Sequence, residues 1–119
     1  ALSGGQQKLL ELGRLLMLDP DVIILDEPFA GVHPKLMEVI YEYIRRVNGE
    51  GKAIVIISHQ MDAIFNLAKR LLVLDYGDLI ADGDPNDVKN DPAVIEAYLG
   101  VDEDEAEEIA HEQAEADKA

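Results

Sequence analysis

Apolar side chains recur at helical spacing at the front of this chain, at Leu9, Leu10, Leu12, Leu15, Leu16 and Met17. That pattern predicts a helix. Ser3 is placed to cap it, and Gly4-Gly5 leave its first amides open. Gly13 costs about 1 kcal/mol against alanine in a helix interior, so a packing reason is expected there. Asp19-Pro20-Asp21 ends the helix. Val22-Ile23-Ile24-Leu25 then runs apolar without alternation, which predicts a strand covered on both faces of a parallel sheet. From Pro34 to Asn48 the spacing becomes helical again, with Leu36, Val39, Ile40, Tyr43, Ile44 and Val47 as the stripe. Asn48-Gly49-Glu50-Gly51 stops it.

Ala53–Ile57 is a second unbroken apolar strand, and a short helix is predicted near 61–68. Strand, helix, strand, helix in that order makes a right-handed βαβ unit. Leu71–Asp75 and Asp78–Asp82 flank Tyr76-Gly77 and read as a hairpin. Asp84-Pro85 and Asp91-Pro92 each open a short helix with proline at its first position. The second ends near Gly100. The fold class is α/β: a parallel sheet with flanking helices, then a hairpin and short helices.

Charge divides the chain at that glycine. Of a net charge of −15, residues 101–119 carry nine carboxylates against one lysine. The globular part is therefore expected over 1–100 and an acidic tail over 101–119. The tail reads as a solvated end, as an exposed charged helix over 105–116, or as an acidic interaction segment. Such a balance repels phosphates and argues against nucleic acid as a partner. There is no cysteine, which excludes disulfides and fits a reducing compartment. No apolar run reaches membrane-spanning length, and the first residues lack a basic segment and an apolar h-region. The expectation is a soluble, cytoplasmic protein.

Three short stretches carry chemistry. Asp26-Glu27 stands at the C-terminal end of a predicted strand, where α/β sheets bind ligands. Successive strand residues face opposite ways, so the two acids cannot share one task. One can hold Mg²⁺ and the other can serve as general base. By themselves they read equally well as a strand end whose acids cap the next turn. Gly4-Gly5 at a helix start permits close approach of an anion to the amides, or is simply a glycine-rich turn behind a serine cap. His59, in Ser58-His59-Gln60, closes a second parallel strand at the same sheet edge and can donate to a phosphate oxygen.

Taken together, these stretches resemble the ATPase subunit of ABC (ATP-binding cassette) transporters. Leu2-Ser3-Gly4-Gly5-Gln6 resembles the family's signature motif, Val22–Glu27 its Walker B motif, Pro28–Pro34 its D-loop region, and His59 its switch histidine. "LDEPFAGVHP", "IISHQMD" and "DPAVIEAYLG" look most like the branched-chain amino acid importers. Lipopolysaccharide-export and urea-importer ATPases are similar too. The resemblance implies a P-loop NTPase fold with ATP and Mg²⁺ as cofactors. It implies that Asp26 organises Mg²⁺, that Glu27 polarises the hydrolytic water and that His59 touches the γ-phosphate. Ser3, Gly4, Gly5 and Gln6 would meet the nucleotide held by an opposite subunit. The implied partners are a second ATPase subunit and transmembrane permease subunits, with a substrate-binding protein reached indirectly. The implied location is the inner face of the cell membrane. His33 departs from the Asp or Asn common in the D-loop and is a subunit-contact candidate at best.

Phosphoryl transfer needs a phosphate cradle such as Gly-x-x-x-x-Gly-Lys-Ser/Thr, and the 119 residues contain no such string. The expectation is the C-terminal half of a nucleotide-binding domain, inactive alone and marginally stable or self-associating. The competing expectation is a non-catalytic fragment that lends its signature helix to an intact cassette. A soluble cassette of the repair or translation type is a third.

Overall fold

Ser3 opens the first helix with a reciprocal pair of bonds. Its hydroxyl accepts from the Gln6 amide at 3.2 Å, and the Gln6 side chain accepts from the Ser3 amide at 3.0 Å, a capping box. The computed structural model describes residues 3–99, 111–112 and 114–118. These fall in two compact units, residues 1–67 and 68–119.

The first unit contains α1 (Gly4–Met17), β1 (Val22–Asp26), α2 (Pro34–Gly49), β2 (Ala53–Ile57) and α3 (Met61–Leu67). β1 and β2 pair in parallel, from Val22 opposite Ala53 to Asp26 opposite Ile57. Between α1 and β1 the chain turns at Asp19, whose φ is 49°. Lys52 anchors that turn, donating to Asp19 at 2.6 Å and to the Pro20 carbonyl at 2.8 Å. His33 caps α2: its Nδ1 accepts from the Lys35 amide at 3.2 Å, and Pro34 takes the first helical position.

Leu12, Phe29, Ile40, Tyr41, Ile44 and Ala63 form the core of this unit. Phe29 and Ile40 are completely enclosed. The Phe29 and Tyr41 rings meet edge to face, with centroids 5.7 Å apart. Arg45 donates to the Asn66 side chain and so ties α2 to α3.

Two expectations are corrected here. The strands are not covered on both faces. Ile23 is buried, but Val22, Ile24, Val55 and Ile57 are 49–65 % exposed. Alternation returns because the described helices of this unit pack on one face only. Gly13 has no packing reason: a Cβ added there would meet nothing within 4 Å.

The second unit contains β3 (Leu71–Asp75), β4 (Asp78–Gly83), α4 (Pro85–Val88) and α5 (Pro92–Leu99). β3 and β4 pair antiparallel around a two-residue loop, Tyr76-Gly77, with φ values of 46° and 84°. Two positive φ angles match the twist of the hairpin. A bulge between Val73 and Leu74 shifts the register. Arg70 grips the Asp82 carboxylate through two bonds, 2.9 and 2.8 Å long. Asp84 and Asp91 accept from the amides of Asn86 and Ala93, both at 2.9 Å, at the entries of α4 and α5. Val73, Val88 and Val94 make the small core. The Tyr98 hydroxyl donates to the Leu74 carbonyl at 2.8 Å.

Residues 111–112 and 114–118 are helical, and Lys89 lies 3.3 Å from Asp117. The rest of the tail, including most of the helix expected over 105–116, lies outside the described residues. No helix among the described residues is long and apolar enough to cross a membrane.

Candidate functional site

Parallel pairing brings two of the chemistry-bearing stretches together. Because Asp26 lies opposite Ile57, the residues just beyond each strand emerge side by side. The Glu27 amide continues the ladder, donating to the Ile57 carbonyl at 2.7 Å. The chain then turns sharply, for Glu27 has a φ of 47°, an unusual value for a residue with a side chain. Pro28 and Phe29 follow at once, both buried, and Phe29 fixes the exit of the loop in the core.

The turn aims the Glu27 carboxylate at the segment beyond β2. Its Oε1 lies 2.8 Å from His59 Nδ1 and accepts from the His59 amide at 3.2 Å. Its Oε2 accepts from the Ser58 hydroxyl at 3.2 Å. Ser58 in turn accepts from the Gln60 amide at 3.1 Å. The His59 hydrogen bond, above all, holds the Glu27 carboxyl below its ordinary 4.5. Burial opposes this, whereas the His59 charge, the Ser58 hydroxyl and the His59 amide act in the same sense. Glu27 is therefore ionised at neutral pH. The His59 side chain is 78 % exposed and that of Glu27 is 34 % exposed, so solvent reaches both.

Asp26 points elsewhere. With Ile24, Lys8 and Glu11 it lines a groove of about 280 Å³ between α1 and β1. The two neighbouring acids thus serve different spaces, as strand geometry requires. The Asp26 carboxylate has no hydrogen bond or ion pair among the described residues. No group of three or more His, Cys, Asp or Glu among them could hold a metal ion unaided. A carboxylate in an open groove suits Mg²⁺ delivered on a phosphate, because Mg²⁺ takes one or two carboxylates and completes its shell with phosphate and water.

Ser3 and Gln6 close the helix start on each other, as described. Ser3, Gly4 and Gln6 are exposed and Gly5 is buried. The glycines have a use that the sequence did not disclose. A Cβ at Gly4 would stand 2.9 Å from the Gly31 carbonyl oxygen, and one at Gly5 would stand 2.3 Å from Leu36 Cδ1. The helix start therefore packs on the segment that leaves Glu27. Ser58 also escaped notice as a site residue. Its position between a strand and His59, two residues before Gln60, was the available signal.

Known proteins resemble this chain in sequence and in fold. Residues 1–66 match the family described as "AAA domain, putative AbiEii toxin, Type IV TA system". Residues 79–104 match the family described as "Branched-chain amino acid ATP-binding cassette transporter". A "Probable branched-chain amino acid transport ATP-binding protein LivG" of Methanocaldococcus jannaschii is 42% identical over 103 residues, which is 83% of this chain and 40% of that protein. Its namesake in Archaeoglobus fulgidus is 39% identical over 106 residues, covering 89% of this chain and 41% of that protein. A crystal structure of the ADP conformation of an ATP-binding cassette of an ABC transporter superposes with a TM-score of 0.75 at 40% identity, over 84% of this chain and 41% of that one. The chain spans about 40% of the length of the relatives it matches.

Proposed function

This chain belongs to the ATP-binding-cassette ATPases, of the P-loop NTPase fold, and on that premise we propose that it supplies the hydrolytic edge of one nucleotide site and a helix end for a second. The observation that carries the reading is the cluster of Glu27, Ser58 and His59 at the C-terminal ends of two paired parallel strands.

In this reading Glu27, ionised and turned outward, accepts a proton from the water that attacks the γ-phosphate of ATP. His59 reaches the same phosphate through its exposed ring while Nδ1 rests on Glu27. With Nδ1 donating to Glu27, the other ring nitrogen donates to the phosphate oxygen when the imidazole carries both protons. Asp26 would hold Mg²⁺. The ion, when bound, neutralises charge on the phosphate oxygens. Ser3, Gly4, Gly5 and Gln6 offer a helix N-terminus to the nucleotide of a second subunit. Its roughly half-unit positive charge suits a phosphate.

Residues 1–100 then form the signature-to-switch portion of a cassette, followed by an acidic tail. The 119 residues alone are assigned no ATP turnover, because no phosphate cradle of the expected sequence lies among them. The LivG likeness supports branched-chain amino acid import as the work of the assembled system. That system would include a second ATPase subunit and membrane permease subunits on the inner face of the cell membrane.

Glu27→Gln in the assembled ATPase tests the reading. It keeps the size and most acceptor geometry and removes the base. Turnover is expected to fall by about 10²–10⁴-fold, the range of general-base catalysis, with ATP still bound. Unchanged turnover would refute the assignment.

A further inference from the structure

We propose that Gly31 and Leu36 are positioning residues that seat the start of α1, an inference resting on the reading of Ser3 as a contact to a second subunit's nucleotide. Glycines at a helix start are usually explained by what approaches from outside. Here the constraint comes from beneath. A Cβ at Gly4 would lie 2.9 Å from the Gly31 carbonyl oxygen, closer than side-chain carbons normally come to anything. A Cβ at Gly5 would lie 2.3 Å from Leu36 Cδ1, 3.3 Å from its Cβ and 3.4 Å from its Cγ. By contrast, Gly13 of the same helix meets nothing within 4 Å.

Both obstacles belong to one short segment. Gly31 lies in the loop that leaves Glu27, and its φ of 71° suits glycine and sets the direction of the carbonyl. Leu36 lies in the first turn of α2, which His33 caps. Gly5 is buried against that segment while Ser3 remains exposed. The seat therefore fixes how far the Ser3 end projects and in which direction. It also joins the helix end that serves one nucleotide to the loop behind the base that serves another.

The two glycines differ in a way that an experiment can use. At Gly5 the obstacle is a side chain and can be cut back. Leu36→Ala would leave only a Cβ at 3.3 Å, which a shift of a few tenths of an ångström relieves. At Gly4 the obstacle is backbone. In the assembled ATPase, Gly5→Ala drives its Cβ against Leu36 Cδ1, Cβ and Cγ together, so that the start of α1 shifts by about 1 Å and ATP turnover falls on the order of 10–100-fold. Adding Leu36→Ala should bring turnover back to within about threefold of Leu36→Ala alone, the mark of two coupled positions. Gly4→Ala should lose turnover similarly and gain nothing from Leu36→Ala.

If the glycines serve only phosphate approach, neither is rescued, and the seat is overturned. Wild-type turnover in Gly5→Ala overturns it as well, as does equal rescue of both glycine variants. Urea unfolding of wild type, Gly5→Ala, Leu36→Ala and the double variant of these two decides the matter independently of ATP. Gly5→Ala should lower the midpoint of wild type yet leave that of Leu36→Ala nearly unchanged, and an equal fall in both overturns the seat. Absence of turnover in the wild-type assembly would remove the nucleotide reading, and the unfolding comparison would still judge the contact.

Discussion

Gly13→Ala is expected to stabilise the protein. Gly13 sits in the middle of α1, a 14-residue helix closed at its start by the Ser3–Gln6 capping box. Glycine there surrenders more backbone freedom on folding than alanine would, at a cost of about 0.8–1.0 kcal/mol in a helix interior. That cost is ordinarily tolerated where a neighbouring backbone or ring presses on the Cα. Here the space around an added Cβ is empty to 4 Å, so the substitution brings no clash and the whole propensity gain should appear. About 1 kcal/mol corresponds to a rise of roughly 4–8 °C in melting temperature for a domain of this size. In urea, with m near 1–3 kcal/mol/M, it moves the midpoint up by about 0.3–1 M with m unchanged. Circular dichroism through a urea titration reads both quantities. A midpoint that stays put or falls would refute the reasoning and show that Gly13 lies against a surface that alanine obstructs.

Two further outcomes follow from the packing and the charges. Phe29→Ala removes a completely enclosed ring that also meets Tyr41 edge to face. It should cost about 3–5 kcal/mol, with Phe29→Leu costing less, both read from denaturant unfolding. Equal stability of Phe29→Ala and wild type would contradict the core described here. The Arg70 hydrogen bond, more than its charge, holds Asp82 below its ordinary 3.8, against burial. A depressed carboxyl stabilises the fold above 3.8, and that stabilisation disappears as pH falls through the lower folded value. Protonation also relieves the overall excess of negative charge, so the measurement is the difference between wild type and Asp82→Asn. That difference should be constant from pH 7 to about 5 and should shrink below 3.8. A difference that grows on acidification would contradict the pairing.

The order of elements was legible because the signals are local. Unbroken Val/Ile runs marked β1 and β2, Asp-Pro pairs marked the entries of α4 and α5, and Tyr76-Gly77 marked the hairpin. The meeting of Glu27 with His59 was legible too, since residues that follow paired parallel strands emerge at one edge. Tyr41 was missed because it falls beside the α2 stripe, and it is buried in the core cluster, where its ring meets Phe29 edge to face. The doubly covered sheet was over-read: an apolar run records what a strand can be buried in, and the described residues supply one covering layer. His33 resembled an anomaly of the loop until its ring was seen capping α2. The seat under Gly4 and Gly5 was invisible for a different reason. It depends on where residues 27 and 31 positions away return in space, which no local pattern encodes.

Position 27 sets conformation against chemistry. A glutamate with a φ of 47° occupies a region where side chains other than those of asparagine and aspartate are uncommon, at a cost on the order of 1–3 kcal/mol. Glycine would relax that backbone at once, yet it would also erase the carboxylate that Ser58 and His59 hold. Any selection for thermal robustness alone is therefore pulled toward exchanging this residue. Variants recovered from such a selection should be sequenced here before they are judged improved.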